Sequence, residues 1–332
     1  MAGEAVARSG WQTLFSRLGI NPSDALRRAR LPVALFSADE PTVLPGADYF
    51  RLWRVLDEHV AATFPALALQ IGTTASEDPC SPARLVGRCS ADLNAALGRI
   101  AQYRRLVAPI ALRVLHEADT TTVSLEWVDA SCEAPESLCT AELVFIVELA
   151  RAATGLRIEP LQVGTPRPPA RQAEYKAYLG TPISTSAAHC VVFSAGDAAR
   201  PFRPPGESIW SPFEPALRPR PAVLAGRGSM GEHVRDALLR LLPAGESSVQ
   251  AVARALETSV RTLQRRLQEE GHAFQKVLSE VRESLARHYL TRTRLQGAEI
   301  AFLLAFEDPN SFVRAFHGWT GTTPQRIRAA AR

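Results

Sequence analysis

Apolar residues in the first part of the chain switch between helical spacing and alternation. Positions 47–63 and 91–107 repeat apolar side chains every three or four residues, which predicts two amphipathic helices. Apolar and polar residues then alternate in 110–114 and 123–127, which predicts two strands joined by a hairpin loop over 116–120. Four further elements are predicted on the same grounds: a helix over 136–153, a strand over 156–163, a short helix over 171–179 and a strand over 189–194. The pattern indicates an α+β domain with helices around an antiparallel or mixed sheet.

From residue 232 onward the hydrophobic pattern is helical throughout. Ser247 with Gln250 has the form of a capping box in front of one helix. Ser259 has the position of the N-cap of the next helix, VRTLQRRLQEE, and Gly271 follows the end of that helix. The last third of the chain is therefore predicted to be an all-α domain that opens with two helices joined by a tight turn.

The same layout recurs further along the chain. A long helix over about 274–290 separates the two pairs of helices. In the second pair, AEIAFLLAF is followed by Asp308, which has the position of an N-cap, and by Pro309 in the first turn. Two helix-turn-helix units, 249–270 and 298–319, are thus predicted. Two such units braced by a stiff helix would reach successive major grooves, about 34 Å apart on one face of a DNA duplex.

Proline content marks a connection between the two regions. Seven prolines lie in 201–221 and three glycines follow before residue 232, which excludes a continuous helix or a central strand there. We therefore predict a first domain over 1–201, a Pro/Gly-rich linker over 202–229 and a second domain over 230–332.

The positive charge of the chain lies in its last third. Residues 230–332 hold 15 basic and 11 acidic side chains, whereas residues 1–229 hold 23 of each, so the whole formal net charge of +4 belongs to the helical region. A basic surplus confined to one domain indicates an anionic partner, of which nucleic acid is the commonest.

Catalytic and metal-binding signatures are absent from the sequence. The seven histidines form no His-x-x-x-His pair, and there is no Gly-x-Ser-x-Gly, no glycine-rich phosphate loop and no Cys-x-x-Cys. We expect no enzymatic activity, no cofactor and no metal site. Five cysteines without metal-type spacing, no signal-type segment at the start and no apolar run of 18 residues predict a cytoplasmic protein with reduced thiols and no membrane association.

Three segments of the last third resemble the DNA-binding domain of the AraC/XylS transcription regulators: SVRTLQRRLQEEGHAF, AEIAFLLAFEDPNSFVRAFHGWTG and TPQRIR. This resemblance covers about 100 residues and both predicted helix-turn-helix units. Before the linker, VLPGADYFRLW, LGRIAQYRRL and PRPPARQAEYKAYLG resemble the sensing domain of the subgroup that includes ornithine-responsive regulators. The resemblance implies a sequence-specific transcription regulator of the activator type. It also implies that 1–201 is an effector-sensing and dimerisation domain and that 230–332 is the DNA-binding domain. Its implied partners are double-stranded promoter DNA, a small-molecule effector, a second copy of the chain as a homodimer and, for an activator, RNA polymerase.

The resemblance also implies which side chains meet DNA. The residues carried over are Arg261, Thr262, Gln264 and Arg265 in the first recognition helix, and Asn310, Ser311 and Arg314 in the second. Arginine can bind guanine O6 and N7 through two hydrogen bonds, and glutamine can pair with adenine. Leu263, Leu267, Phe312 and Phe316 are expected to face the core. The alternative for the arginines is a solvated helix face without a partner.

Three departures from the family pattern fall in the second unit. Ala305 stands where glycine usually allows the turn, and because a positive φ would strain alanine, we expect this turn to be tightened in a different way. Gly297 replaces a helix-favouring apolar residue. His317 and Gly318 stand where basic residues are common. We therefore expect the first unit to dominate DNA affinity.

Four residues of the first domain are candidates for an effector site: Trp53, Tyr103, Arg104 and Trp127. The structural alternative is that the tryptophans are core residues and that Tyr103 and Arg104 lie on the surface. Two other classes of function remain open at this point. One is a constitutive DNA-binding protein whose N-terminal domain only dimerises, and the other is an enzyme domain fused to a DNA-binding domain.

Overall fold

The described residues up to 203 form both helices and strands, and those from 230 onward form helices alone. The structure, a computed structural model, describes residues 4–7, 15, 18–35, 42–60, 66–77, 82–128, 133–203, 213, 217 and 228–331. The chain divides into two units, Met1–Arg203 and Pro204–Arg332. The prediction of a mixed α/β region followed by an all-helical region is confirmed. Most of the predicted linker over 202–229 lies outside the described residues, as do Cys80 and Cys132. The described cysteines Cys89, Cys139 and Cys190 form no disulfide with one another.

The first unit contains a two-stranded and a five-stranded sheet. The strands are β1 (Glu4–Ala7), β2 (Thr42–Pro45), β3 (Ile110–His116), β4 (Thr120–Trp127), β5 (Gln162–Thr165), β6 (Ile183–Thr185) and β7 (Cys190–Ser194). The larger sheet has the order β3-β4-β7-β5-β6, and only β5 and β6 pair in parallel. The predicted hairpin is confirmed, since β3 and β4 pair in antiparallel register with Leu112 opposite Leu125.

The helices of the first unit are α1 (Pro22–Arg28), α2 (Gly46–Val60), α3 (Leu67–Glu77), α4 (Pro82–Arg88), α5 (Leu93–Val107), α6 (Glu136–Thr154), α7 (Gln172–Leu179) and α8 (Ala195–Ala198). Helix α6 is buried along most of its length and contacts both α3 and α4. Gly72 of α3 and Gly87 of α4 allow this approach, because a Cβ atom at either position would lie 2.6 Å from Val144 or Leu149 of α6.

The strand predicted over 156–163 is wrong in its position. The observed strand is β5, and the residues before it are irregular. Leu156 and Leu161, which suggested a buried strand, are exposed, and Pro160 between them has no N–H to offer a ladder. The sequence analysis did not predict several elements of the first unit, most of which are too short to show a hydrophobic period: strands β1, β2 and β6 and helices α1, α3, α4 and α8.

The second unit contains α9 (Met230–Leu241), α10 (Val249–Ala255), α11 (Val260–Glu269), α12 (Phe274–Arg292), α13 (Gly297–Leu303), α14 (Pro309–Thr320) and α15 (Pro324–Ala330). The long helix α12 contacts α9, α14 and α15, and its predicted apolar stripe is buried. Phe213 and Leu217, which belong to the predicted linker, are buried as well. The Phe213 ring stacks on the His288 ring of α12 with centroids 4.9 Å apart.

Capping hydrogen bonds begin the helices of both predicted helix-turn-helix units. Ser259 Oγ accepts the N–H of Thr262 (3.1 Å), and Asp308 Oδ1 accepts the N–H of Ser311 (2.9 Å), as predicted. The predicted capping box at Ser247 is wrong. Helix α10 begins one residue later than that box requires, and Ser248 Oγ accepts the N–H of Ala251 instead.

Candidate nucleic-acid interface and effector site

Helix α11 has a buried side and an exposed, basic side. Leu263 and Leu267 are buried, as predicted. The predicted contact residues Arg261, Gln264 and Arg265 are exposed, whereas Thr262 is half-buried beside the cap. Arg265 pairs with Glu269 one turn later. Because this pair is solvent-exposed, it contributes little stability and leaves the guanidinium able to exchange partners.

Helix α14 repeats this arrangement with a different hydrogen-bond network. Phe312 is fully buried, whereas Asn310 and Arg314 are exposed. Arg314 Nη2 donates to Ser311 Oγ (2.9 Å), and Ser311 Oγ donates to Asp308 Oδ2 (2.5 Å). Hydrogen bonds from the Ser311 hydroxyl, the largest cause, and from the Ser311 N–H lower the pKa of Asp308. Two of the three predicted contact residues of α14 are therefore already joined to the cap in the free protein.

The turns that precede the two recognition helices share one backbone conformation. Glu257 in the first turn and Ala305 in the second have positive φ values of 49° and 56°. The expectation that Ala305 forces a differently built turn is therefore wrong. The left-handed conformation is kept without glycine, and Arg282 of α12 donates to the carbonyl oxygens of Leu304 and Ala305, both at 2.9 Å. Sequence reasoning did not find Arg282, because it lies between the two units and belongs to neither.

A second unpredicted contact joins the end of α11 to the start of α9. Glu270, the C-cap residue of α11, accepts the N–H of Met230 through Oε1 (2.6 Å) and that of Gly231 through Oε2 (2.9 Å). A carboxylate at this position satisfies two of the free N–H groups at a helix N-terminus and complements its partial positive charge. The residue that closes the first recognition helix thus also caps the helix that follows the predicted linker.

Two of the four effector candidates lie at a buried ion pair in the first unit. Arg104 Nη2 lies 2.7 Å from Glu142 Oε2, the two side chains are 16% and 14% exposed, and the Arg104 guanidinium lies over the Phe145 ring at 5.1 Å. Burial raises the pKa of Glu142, and Arg104 lowers it only in part. Burial and the nearby Glu142 also raise the pKa of Tyr49 to about 12, whereas a hydrogen bond with Trp53 lowers it. Tyr49 thus links Trp53 to the ion pair.

The other candidates are less directly connected. Trp127 packs edge-on against Phe50 with ring centroids 4.9 Å apart, and it lies beside Cys139, whose pKa burial raises to about 12. Tyr103 is only 3% exposed, so the alternative that placed it on the surface is wrong. It neighbours Arg104 on α5, where successive side chains point about 100° apart.

Glu142 was not among the candidates from the sequence, although its position in α6 indicates a buried charge with a partner. It is a carboxylate within the apolar stretch of α6, at a position where nearly every neighbour is buried. A charged residue at such a position is rarely buried unless it has a partner. Among the described residues, no three His, Cys, Asp or Glu side chains meet in a way that could hold a metal ion. In the same part of the chain, no helix combines the length and apolarity needed to cross a bilayer.

Two protein-family models match the chain. One is the arabinose-binding domain of the AraC transcription regulator (N-terminal), over residues 19–202, and the other is a helix-turn-helix domain, over residues 252–330. The ornithine utilization regulator of Pseudomonas aeruginosa is 45% identical over 93 residues, which is 28% of this chain and 27% of that protein. The chain therefore spans only about a quarter of that relative's length.

Two other similarities extend over nearly the whole chain. The HTH-type transcriptional regulator VirS of Mycobacterium tuberculosis is 25% identical over 331 residues, which cover 96% of this chain and 94% of that protein. The crystal structure of the transcriptional regulator CdpR from Pseudomonas aeruginosa aligns over 97% of this chain and 98% of its own, with 20% identity and a TM-score of 0.42. The arabinose-binding-type match covers more than half of the chain, and the chain belongs to the AraC family of DNA-binding transcription regulators.

Proposed function

We propose that this regulator is a ligand-responsive activator. A small-molecule effector binds the first unit, two copies of the chain form a homodimer, and the linker over 202–229 passes the bound state to the DNA-binding unit. Effector binding shifts the population between arrangements that place the DNA-binding units differently on adjacent half-sites. Its partners are promoter DNA and RNA polymerase, its compartment is the cytoplasm, and it catalyses no reaction.

The observation that carries the DNA-binding part of this proposal is the repetition of one helix surface. Helices α11 and α14 each begin at a side-chain cap, bury apolar side chains on one side and expose arginine on the other. Arginine in the major groove discriminates guanine through two parallel hydrogen bonds. We assign base contacts to Arg265 in α11 and to Arg314 in α14. The side chains around them complete the reading surfaces: Arg261, Thr262, Gln264, Asn310 and Ser311.

Selection from a random-sequence duplex library with the full chain tests this assignment. We expect the enriched DNA to contain two conserved elements separated by about one helical turn, ~10 bp. Arg265→Ala should weaken binding to the enriched duplex by about tenfold or more and relax base preference within one element only. Arg287→Ala is the matched control, because Arg287 is also exposed and pairs with Glu283 at the same helical spacing.

Two results would contradict the DNA-binding assignment. If the wild-type chain enriches no sequence at moderate salt, the proposed function itself is wrong. If Arg265→Ala and Arg287→Ala weaken binding equally and leave base preference intact, Arg265 contributes only general attraction to phosphate, which screens with salt.

The effector site is proposed at the Arg104–Glu142 ion pair. The side chains at this site offer different interactions: Arg104 carries positive charge, Glu142 accepts hydrogen bonds, and Tyr49 and Trp53 add aromatic surface. The raised pKa of Glu142 supports this assignment, because Arg104 does not fully offset the cost of burying that carboxyl. A ligand with a donor or cationic group would supply the missing interaction, which favours a small polar effector over an apolar one.

A thermal-shift screen of small polar metabolites tests the effector site. A ligand at one hundred times its Kd stabilises the unit that binds it by about 2.7 kcal/mol, which is a readily measured shift. The shift should be lost in Glu142→Gln and in Trp53→Phe and kept in Arg105→Gln, whose side chain is exposed next to Arg104 on the same helix. Equal shifts in all variants would place the ligand elsewhere. No shift with any compound would favour a constitutive DNA-binding protein whose first unit only dimerises.

A further inference from the structure

The turn before the second recognition helix holds alanine in a conformation that glycine normally supplies. Ala305 has φ 56°, and it directly follows Leu304, the C-cap residue of α13. A Cβ atom in the left-handed region crowds the backbone and costs about 1–2 kcal/mol, so such a residue persists only where its surroundings hold it. The surroundings of Ala305 must therefore contribute interactions that a relaxed turn would lose.

Arg282 supplies these interactions from the neighbouring helix α12. Its Nε donates to Leu304 O and its Nη2 to Ala305 O, each at 2.9 Å, so one planar group binds two successive carbonyls. These carbonyls lie at the C-terminal end of α13, where backbone oxygens lack helical partners and partial negative charge accumulates. Arg282 is half-buried, and this burial lowers the pKa of its guanidinium to about 10.

The same guanidinium reaches the recognition helix through an aromatic contact. It lies over the Phe306 ring at 4.2 Å, and Phe306 follows Ala305 directly in the chain. The Phe306 ring in turn packs against Phe312 (5.9 Å) and Trp319 (6.2 Å), both of which belong to α14. A continuous set of contacts therefore runs from α12 through the turn to the buried side of α14.

We propose that Arg282 is a positioning residue, which holds the left-handed Ala305 turn and thereby sets the angle at which α14 meets DNA. This inference rests on the proposed function of α14 as a recognition helix. Lysine cannot take this role, because an ammonium on a flexible stem lacks the planar fork that joins two carbonyls and stacks on a ring. The two hydrogen bonds of the guanidinium thus offset the backbone strain that a glycine at this position would have avoided.

Four variants of the full chain test the inference: Arg282→Met, Arg282→Lys, Ala305→Gly and the double variant Arg282→Met/Ala305→Gly. Each is put through the same random-duplex selection as the wild type, and its affinity for the wild-type duplex is measured. Arg282→Met and Arg282→Lys should weaken binding about tenfold or more and blur base preference only in the element that α14 reads. Ala305→Gly alone should leave the profile unchanged, and in the double variant it should restore much of the lost preference, because glycine takes the left-handed conformation without strain. Arg287→Met is the control on the same helix.

A purely structural role would give a different result. The positioning role is wrong if Arg282→Met lowers the base preference in both DNA elements equally. It is also wrong if the double variant unfolds at a higher temperature than Arg282→Met but does not regain base preference. Unchanged binding by Arg282→Met would overturn it as well. If the wild type enriches no sequence, the proposed function fails. In that case thermal unfolding alone tests whether Arg282 stabilises the turn. If Arg282→Met lowers the unfolding temperature equally in the wild type and in Ala305→Gly, Arg282 does not stabilise the left-handed turn.

Discussion

Gly72, Gly87 and Gly98 lie in three different helices of the first unit and differ in what a side chain there would meet. A Cβ atom at Gly98 of α5 would have no heavy atom within 4 Å. At Gly87 of α4 it would lie 2.6 Å from Leu149 Cδ1, near the flexible end of a side chain. At Gly72 of α3 it would lie 2.6 Å from Val144 Cγ1 and 2.8 Å from the backbone oxygen of Ala141. Substitution by alanine should therefore affect stability in three different ways.

The free energy of unfolding should be highest for Gly98→Ala, lower for Gly87→Ala and lowest for Gly72→Ala. Gly98→Ala should stabilise the first unit by about 0.5–1 kcal/mol, because alanine loses less backbone entropy in an exposed helix. Gly72→Ala should destabilise it by about 1–3 kcal/mol, since neither a β-branched side chain nor a helix backbone can yield without moving α3 away from α6. Gly87→Ala should fall between the two, because Leu149 can change rotamer.

Urea unfolding of the full chain measures this series, followed by total tryptophan fluorescence, to which Trp53 and Trp127 of the first unit contribute. Differences in midpoint at constant slope convert directly into differences in unfolding free energy. The close approach of α3 to α6 would be refuted if Gly72→Ala proved as stable as Gly98→Ala. An equal loss in Gly72→Ala and Gly87→Ala would show that the backbone contact at Ala141 does not decide the cost.

Three further predictions concern charged groups. Burial raises the pKa of Glu142 above its ordinary value of 4.5. The protonated carboxyl therefore contributes to the stability of the first unit below pH 4.5, and this contribution is lost as the pH rises through the folded pKa. Glu142→Gln should remove this pH dependence from the urea midpoint. Hydrogen bonds from Ser311 lower the pKa of Asp308, so its contribution is present above 3.8 and is lost as pH falls through the folded pKa. In an acid titration followed by helical circular dichroism, Asp308→Ala should therefore lose structure at a higher pH than the wild type. Glu270→Gln should destabilise the second unit by about 0.3–1 kcal/mol at low salt and by less at high salt, and a Glu246→Gln control with the same response would contradict the capping role of Glu270.

Helices α11 and α14 differ in how free their predicted DNA-contact residues are. In α11 Arg265 pairs with Glu269, an exposed carboxylate on the same helix. In α14 Arg314 donates to the hydroxyl of Ser311, which itself donates to the cap. Contact of Ser311 with a base would compete with the hydrogen bond that begins the helix. That the first unit dominates DNA affinity stays a prediction, and this hydrogen-bond network adds a physical reason for it besides the missing basic residues.

Local interactions made the second unit predictable from the sequence. A cap acts within three residues and an apolar stripe within two turns, so Ser259, Asp308 and the buried side of α12 follow from short segments. The error at Ser247 is of the same local kind, since two adjacent serines offer the same cap one residue apart. The hairpin of β3 and β4 was also predictable, because alternation and a short polar loop lie next to each other in the chain.

Tertiary structure alone decided the features that join distant segments. The partner of Arg104 is on another helix, Gly72 is required because of Val144, and Ala305 keeps its left-handed turn where Arg282 binds the carbonyl oxygens. None of these pairs has a sequence spacing that reveals it, because each depends on which helices pack together and at what distance. The sequence by itself therefore determined the helices of the DNA-binding unit and the face that each exposes. Packing between helices decided where charge is buried in the sensing unit and how the second recognition helix is held.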